Sequence, residues 1–430
     1  MSNEGLAFIV FSVGMLVLMG IGMNMGLALV LTGAGMAWVL GFWDTQLLAQ
    51  NLVAGVDSFP LLAVPFFILA GELMNSGGIS RRIIAMAQAW VGHIRGGLGF
   101  VAIAAAVMMA SMSGSALADT AALATILLPM MRQQGYPMHT SAGLIASGGI
   151  IAPIIPPSMP FVIYGVTTNT SISALFMSGI VPGIIMGVGL IVAWKLVLRK
   201  MDLPEGQPLP MQERLRATVQ AFWAMLMPLI IIGGMKTGIF TPTEAAVVAA
   251  FYALFVALFV HREMKLAEIH GVLVRAAKTT AIVMFLCAGA QVASYMITLA
   301  DLPGTLTNWL GPLVESPKLL MAVMMVVLVI VGTALDLTPT ILIFAPVMLP
   351  IAVKAGIDPV YFGLMFVLNG AIGLITPPVG TVLNVVAGVG RLPLHRVIQG
   401  VNPFLITYVL ILILFVLFPQ IVTAPVAWMR

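Results

Sequence analysis

Two short polar stretches interrupt a largely apolar sequence, and each contains one aspartate. The first is Ser111-Met-Ser-Gly-Ser-Ala-Leu-Ala-Asp119-Thr120, and the second is Gly332-Thr-Ala-Leu-Asp336-Leu-Thr-Pro339. Each lies between two apolar arms of about 15 residues, which are too short to cross a bilayer singly and suit a re-entrant helical hairpin. A carboxylate at membrane depth is costly and therefore indicates a function. We interpret Asp119 and Asp336 as cation ligands, and helix N-capping is the alternative role for each.

A proline pair follows each polar stretch, Pro156-Pro157 in the first case and Pro377-Pro378 in the second. Proline removes a backbone donor and frees the carbonyl one turn earlier. Freed carbonyls and hydroxyls are hard oxygen ligands that suit Na⁺, whereas the N-termini of half-helices suit an anionic substrate. The alternative is that both segments are simply kinked packing helices.

The two sets of features form an internal repeat with an offset of 221 residues. Pro129 pairs with Pro350, Gly135 with Gly356, and the two proline pairs with each other. Residues 80–96 before the first copy are amphipathic and basic, whereas residues 301–317 before the second contain two acidic residues and no basic one. This difference predicts two interfacial arm helices on opposite sides of the membrane. Inverted repeats with broken helices are typical of secondary transporters.

The composition excludes a soluble protein. Of the 430 residues, 61% are apolar and 8% are charged, and the mean hydropathy is +1.11. Soluble domains average about 45–50% apolar and about 25% charged residues. With 19 basic against 15 acidic residues, nucleic-acid binding is excluded too. The single Cys287 excludes a disulfide framework, and no Gly-Lys-Ser/Thr phosphate loop is present for ATP hydrolysis. The sequence therefore predicts a non-enzymatic, all-α polytopic membrane protein.

The basic residues predict the orientation. With the N-terminus outside and residues 5–22 as a retained first helix, only Lys236, Lys318, Lys354 and Arg430 face outward, as the positive-inside rule requires. Charge alone does not distinguish hairpins from full spans. The predicted apolar helical segments are 5–22, 25–43, 59–77, 97–111, 119–134, 140–166, 172–196, 217–237, 241–260, 279–300, 318–335, 338–353, 358–388 and 400–420.

Two further acidic residues have weaker patterns. Glu244 follows Thr241 at the spacing of a capping box, which favours a structural role over transport. Glu72 is interpreted either as an interface residue or as a side chain that reaches the membrane surface.

Several motifs resemble the large membrane subunit of tripartite ATP-independent periplasmic (TRAP) transporters, above all the branch that handles 2,3-diketo-L-gulonate-type sugar acids. The resemblance covers nearly the whole chain. The motifs are Ala110-Ser-Met-Ser-Gly-Ser-Ala-Leu-Ala-Asp-Thr-Ala-Ala122, Leu144-Ile-Ala-Ser-Gly-Gly-Ile-Ile-Ala-Pro-Ile-Ile-Pro-Pro-Ser158, Phe240-Thr-Pro-Thr-Glu-Ala-Ala246 and Gly373-Leu-Ile-Thr-Pro-Pro-Val-Gly380.

The resemblance implies a partner set and a mechanism. We expect a separate small four-helix membrane subunit, a periplasmic solute-binding protein, and a location in the bacterial inner membrane. The expected activity is Na⁺-coupled import of a small organic acid, such as a C4-dicarboxylate, sialic acid or a sugar acid, by an elevator motion. The expected fold is an inverted-repeat elevator type with two re-entrant helical hairpins and two interfacial arm helices.

The resemblance also implies site residues. The expected sodium ligands are Ser113, Ser115, Asp119, Ala152, Ile155, Gly332, Thr333, Asp336, Thr338, Asn369, Gly373 and Thr376. The expected substrate-binding residues are Pro157, Ser158, Thr381 and Asn384.

These expectations divide the chain into scaffold and transport segments. Scaffold helices are assigned to 1–78, 171–300 and 391–430, interfacial arms to 79–96 and 301–317, and the transport domain to 97–170 and 318–390. The competing hypothesis is a stand-alone ion-coupled carrier or antiporter that needs no binding protein. A passive channel fits poorly with hairpins that close the midplane.

Overall fold

The chain folds into helices connected by short turns. The structure is a computed structural model that describes residues 3–203, 205–309 and 314–429, and all regular structure in these ranges is helical. A 3-10 turn lies at Phe59–Leu62, and a π-helical turn lies at Val256–Val260. The α-helices are α1 (Asn3–Gly20), α2 (Met25–Val39), α3 (Thr45–Ala54), α4 (Ala63–Ser76), α5 (Ile79–Val91), α6 (Gly97–Ser113), α7 (Ala116–Gln133), α8 (Met138–Gly149), α9 (Met159–Thr168), α10 (Ile172–Leu198), α11 (Met211–Lys236), α12 (Pro242–Phe255), α13 (Leu266–Leu299), α14 (Leu302–Trp309), α15 (Pro317–Gly332), α16 (Leu337–Lys354), α17 (Pro359–Gly373), α18 (Thr381–Gly390), α19 (Leu394–Leu417) and α20 (Gln420–Met429).

Helix length and composition agree with a multi-pass membrane protein. Within the described ranges, seven helices are long and apolar enough to cross a bilayer, because about 20 helical residues span its hydrocarbon core. Shorter apolar helices occur in the hairpins and the broken helices. The seven are Phe59–Ser76, Ile172–Leu198, Met211–Lys236, Pro242–Val260, Leu266–Leu299, Leu337–Lys354 and Leu394–Leu417.

Both predicted hairpins are present. In hairpin 1, α7 folds back on α6 through Gly114 and Ser115, and Gly114 has a φ of +61° that favours glycine. In hairpin 2, α16 folds back on α15 through residues 333–336. With 18 residues, α16 is longer than the predicted arm and is one of the seven helices long enough to cross a bilayer. The polar stretches singled out from the sequence therefore form the two hairpin tips.

Both predicted helix breaks are present as well. Break 1 is residues 150–158, between α8 and α9, and break 2 is residues 374–380, between α17 and α18. The Pro156-Pro157 and Pro377-Pro378 peptide bonds are both cis.

The helix boundaries confirm the internal repeat. α7 and α16 begin and end 221 residues apart, and α8 and α17 begin 221 residues apart. Gly135 and Gly356, the predicted pair, have φ values of +76° and +78°. Each repeat also packs against the other, because α7 of hairpin 1 contacts α18, and α16 of hairpin 2 contacts α9. The boundary between scaffold and transport domain stays a prediction.

The helix bounds differ from the predicted segments in several places. α13 begins at Leu266 and not at residue 279, because its first turns carry Arg275 and Lys278, which an apolar pattern leaves out. The helix α3 was missed, since it has only ten residues, four of them polar, and none is buried. The C-terminal scaffold segment contains two helices, α19 and α20. The first arm helix ends at Val91, and part of the second predicted arm, residues 310–313, lies outside the described residues.

Candidate functional site

The tip of hairpin 1 holds a buried carboxylate with one unused oxygen. Asp119 lies in the first turn of α7 and is 2% exposed. The Ser113 hydroxyl donates to its Oδ1 at 2.5 Å, while Oδ2 has no hydrogen-bond partner among the residues that the structure describes. The helix is capped instead by Ser115, whose Oγ accepts from the Ala118 amide at 3.3 Å. Asp119 is therefore not the N-cap, and its free oxygen is available for a ligand.

The backbone of break 1 packs closely against this tip. A Cβ built at Gly114 would lie 2.8 Å from the Pro157 carbonyl oxygen and 3.0 Å from the Met159 nitrogen, so only glycine permits the approach. Ser158 is fully buried and caps α9, and its hydroxyl donates to the Pro153 carbonyl. The predicted substrate residues Pro157 and Ser158 thus lie behind the tip, as part of its support.

Thr120 is a candidate site residue that sequence reasoning passed over. Its side chain packs directly against Gly149, the last residue before break 1. It is completely buried, and its Oγ1 finds no hydrogen-bond partner within the described ranges. The only signal in the sequence was its position after Asp119, which does not show where the hydroxyl lies.

The tip of hairpin 2 holds the second aspartate. Asp336 occupies the N-cap position of α16, yet no capping hydrogen bond to its side chain forms in the part of the chain that is described. Its backbone carbonyl accepts from the Thr340 hydroxyl at 2.8 Å. Thr333 is held by a bond from its hydroxyl to the Ile330 carbonyl at 2.7 Å. The carboxylate of Asp336 therefore does not cap α16, although the residue stands at the cap position.

Break 2 packs on hairpin 2 through glycines. Cβ atoms built at Gly373 and Gly332 would lie 2.7 and 3.1 Å from the Cα of the other residue. The Gly380 amide donates to the Thr333 carbonyl at 3.3 Å. Asn369 is fully buried, and its amide donates to the Met325 carbonyl at 2.7 Å. Its Oδ1 has no partner among the described residues, so the end of α17, before break 2, also offers an unused oxygen.

The two tips meet at one small cavity. Ser115 lines it from hairpin 1, Asp336 and Thr338 line it from hairpin 2, and Val283 of α13 closes one side. Its volume is about 60 Å³. One water needs about 10–15 Å³ of such space, and organic ligands occupy pockets of about 300–1,000 Å³. The cavity therefore has room for ions or a few waters and not for an organic acid.

The remaining predicted residues lie near the tips without lining this cavity. Ala152 and Ile155 are buried in the turns of break 1. The Thr376 hydroxyl donates to the Ile372 carbonyl at 2.8 Å. Thr381 and Asn384 lie in α18, where Asn384 is exposed and donates to the Val379 carbonyl at 3.1 Å. The four predicted substrate residues are thus not gathered around one cavity in this conformation.

The two weaker acidic residues have structural partners. Glu244 forms the predicted capping box with Thr241, with bonds in both directions. Glu72 accepts from Arg275 at 3.0 Å, which ties α4 to α13. The interface interpretation of Glu72 is therefore the one that fits.

Comparison with known proteins identifies relatives over most of the chain. The model of the family described as "Tripartite ATP-independent periplasmic transporter, DctM component" matches residues 12–421. The chain is 53% identical to the 2,3-diketo-L-gulonate TRAP transporter large permease protein YiaN of Escherichia coli, over 95% of this chain and 96% of that protein. It is 40% identical to the C4-dicarboxylate TRAP transporter large permease protein DctM of Pseudomonas aeruginosa, over 89% and 90%. It is 39% identical to the sialic acid TRAP transporter large permease protein SiaM of Vibrio cholerae, over 95% of each.

A solved structure shares the fold. The Alcanivorax borkumensis YdaH transporter, described as having an unusual topology, superimposes with a TM-score of 0.66. The match covers 91% of this chain and 96% of that chain at 15% sequence identity, which indicates a common architecture and nothing about the solute.

Proposed function

The chain belongs to the large-permease family of TRAP transporters, and from this membership we propose that it imports a small organic acid in symport with Na⁺. As a large permease of this family it is a multi-pass protein of the inner membrane. The relatives are named as permeases and not as enzymes, which supports the interpretation of this chain as a transporter.

The proposed substrate class is a carboxylate-bearing solute. Relatives named for 2,3-diketo-L-gulonate, C4-dicarboxylates and sialic acid support this class, since each of these solutes carries a carboxylate. The N-termini of α9 and α18 follow the two breaks and supply positive dipole ends. Because the 60 Å³ cavity is too small for such a solute, we propose that the binding space opens when the hairpin tips move.

The observation that carries the Na⁺ proposal is the set of unused oxygens at the two tips. Asp119 Oδ2 is buried without a partner within the described ranges, and Asp336 faces the small cavity with Ser115 and Thr338. A buried carboxylate oxygen without a partner is strongly unfavourable unless a cation or a proton neutralises the group. Carboxylate, hydroxyl and backbone oxygens are the ligands that hard cations prefer, and unwound helix ends bind Na⁺ in secondary transporters.

We further propose an elevator motion and two partner proteins. The mutual packing of hairpin 1 on α18 and of hairpin 2 on α9 supports one rigid moving body built from both repeats. Val283 of α13, which borders the cavity, would belong to the fixed scaffold. The family implies a small membrane subunit and a periplasmic binding protein, and the N-terminus is proposed to face the periplasm.

The test is uptake into proteoliposomes that contain this chain and its small subunit. A labelled organic acid is presented on the cognate binding protein, and an inward Na⁺ gradient is compared with a K⁺ gradient. We expect uptake that requires both Na⁺ and the binding protein. Uptake driven equally by K⁺ contradicts the ion sites, and uptake without the binding protein favours the stand-alone carrier.

Aspartate substitutions locate the ions. Asp119→Asn and Asp336→Asn should each lower the apparent Na⁺ affinity of uptake by about tenfold or more. Even outer-shell partners of a metal contribute about 10–100-fold to its affinity. Asp358→Asn is the matched control. The Asp358 side chain caps α17 by accepting hydrogen bonds of 2.9 Å from two backbone amides, and asparagine caps equally well. Normal Na⁺ dependence in both tip variants would show that these aspartates are structural.

A further inference from the structure

A second cleft lies between α7 and α18. Its volume is about 330 Å³. Pro129 and Val389 expose apolar surface in it, and Arg132 and Arg391 supply two positive charges. Pro129 and Arg132 are three residues apart and therefore share one face of α7. The cleft thus combines an exposed apolar surface with two cationic side chains.

Arg391 occupies an unusual backbone position. It ends α18 in the left-handed region, with a φ of +51°, where residues other than glycine, asparagine and aspartate are uncommon. The corresponding residue of the first repeat, Asn169 at the end of α9, has a φ of +52°. Asparagine would therefore serve the backbone at position 391 as well.

The positive charges in the cleft lack a protein counter-charge. The Arg132 Nη2 donates to the Gly390 carbonyl at 2.9 Å, which leaves most of its five N–H donors for another partner. Across the described residues, the Arg391 side chain forms no hydrogen bond or ion pair, and no carboxylate lines the cleft. Two guanidinium groups without an acid are suited to a phosphate, which each can bind through two parallel bonds.

The exposed apolar surface decides between a soluble anion and an amphiphile. A soluble phosphate would gain nothing from the exposed apolar surface of Pro129 and Val389, whereas an acyl chain would cover it. Basic pockets between helices at the cytoplasmic side of a membrane are places where anionic lipid headgroups bind. In the predicted orientation, this end of α7 and α18 faces the cytoplasmic leaflet.

We propose that this cleft binds an anionic phospholipid of the cytoplasmic leaflet, with its phosphate between Arg132 and Arg391 and an acyl chain along α7. The lipid bridges α7 of the first repeat and α18 of the second. It therefore supports the packing of one repeat on the other, next to the bond that Arg132 makes with Gly390.

The test measures binding of phosphatidylglycerol to the full-length purified chain in mixed micelles, by native mass spectrometry and by thermal unfolding. Phosphatidylcholine and inorganic phosphate are the comparison probes. Wild-type protein should be stabilised by phosphatidylglycerol well beyond either of them. Arg391→Asn should weaken phosphatidylglycerol binding roughly tenfold or more, while the lipid-free protein unfolds at an unchanged or higher temperature because the backbone strain is relieved.

The control variant is Arg199→Gln, which removes an exposed arginine from the end of α10 on the same predicted face. It should bind phosphatidylglycerol as the wild type does. Three results would overturn the proposal. These are equal weakening by Arg199→Gln, undiminished binding by Arg391→Asn, and equal stabilisation by inorganic phosphate.

Discussion

Alanine at position 373 tests whether break 2 and hairpin 2 must approach as closely as they do. A Cβ at Gly373 would lie 2.7 Å from the Cα, 2.8 Å from the carbonyl carbon and 3.0 Å from the carbonyl oxygen of Gly332. All three are backbone atoms, so no side-chain rotation relieves the overlap. An ordinary contact begins at 3.4 Å, and the tip of hairpin 2 would have to move by about 0.7 Å.

We expect two effects, one on the stability of the protein and one on cation binding. Overpacking of this kind destabilises a protein by about 1–3 kcal/mol. A displacement of about 0.7 Å also exceeds the tolerance of about 0.2 Å on metal–ligand distances, so cation binding at the tip should weaken as well. Gly373→Ala should therefore lower the unfolding midpoint and reduce the upward shift of that midpoint by Na⁺.

Gly388→Ala is the matched control. Gly388 lies in α18 of the same repeat, and a Cβ there would meet no atom within 4 Å. Alanine in a helix is about 0.5–1 kcal/mol more favourable than glycine, so the same chemical change should stabilise at this position. The two variants are thus expected to change stability in opposite directions.

The assay is thermal unfolding of the purified chain in matched NaCl and KCl, followed by solute uptake. Na⁺ at ten times its dissociation constant stabilises the bound state by about 1.4 kcal/mol, which is measurable. A Gly373→Ala protein with the wild-type midpoint and the full Na⁺ shift would refute the reasoning, because it would show that the tip adjusts without cost.

Two further predictions concern side chains outside the tips. Glu72→Gln should cost less than about 1 kcal/mol and leave uptake intact, because Glu72 and Arg275 form an ion pair with side chains 31% and 54% exposed. Loss of uptake in this variant, measured beside wild type, would instead place Glu72 in the transport path. Burial, and then the positive charge of Arg82, lower the pKa of His261. The folded chain therefore favours neutral His261, so its contribution to stability is present above the ordinary histidine pKa of about 6.5 and is lost as the pH falls through the lowered value. The unfolding midpoint should drop between pH 7.5 and 5.5 by less in His261→Gln than in the wild type, and equal drops would contradict this assignment.

Much of the fold could be predicted because the bilayer imposes simple rules on sequence. The length of the apolar segments predicted the long helices, and the proline pairs predicted both breaks. These rules fail where a helix is not apolar throughout. The short α3, with four polar residues in ten, and the basic start of α13, with Arg275 and Lys278, depend on local capping and surface contacts, which an apolar pattern does not record.

The site was predicted less completely, because its geometry depends on contacts between distant residues. The polar motifs pointed to Asp119 and Asp336, but not to the meeting of Ser115 with Thr338 across one cavity. Thr120 was missed because its position depends on contact with Gly149, which no local pattern encodes.

The exchange of contacts between the two repeats has a consequence for synthesis of the chain. The tip of hairpin 1 borders a cavity that Asp336 and Thr338 complete, and Arg132 bonds to Gly390. These partners leave the ribosome more than 200 residues later, which takes roughly 10–45 s at about 5–20 residues per second. During that time hairpin 1, with Asp119, lies beside lipid or the insertion machinery and lacks its contacts with the second repeat. We expect the final packing of the first half to occur only after the second half has been inserted.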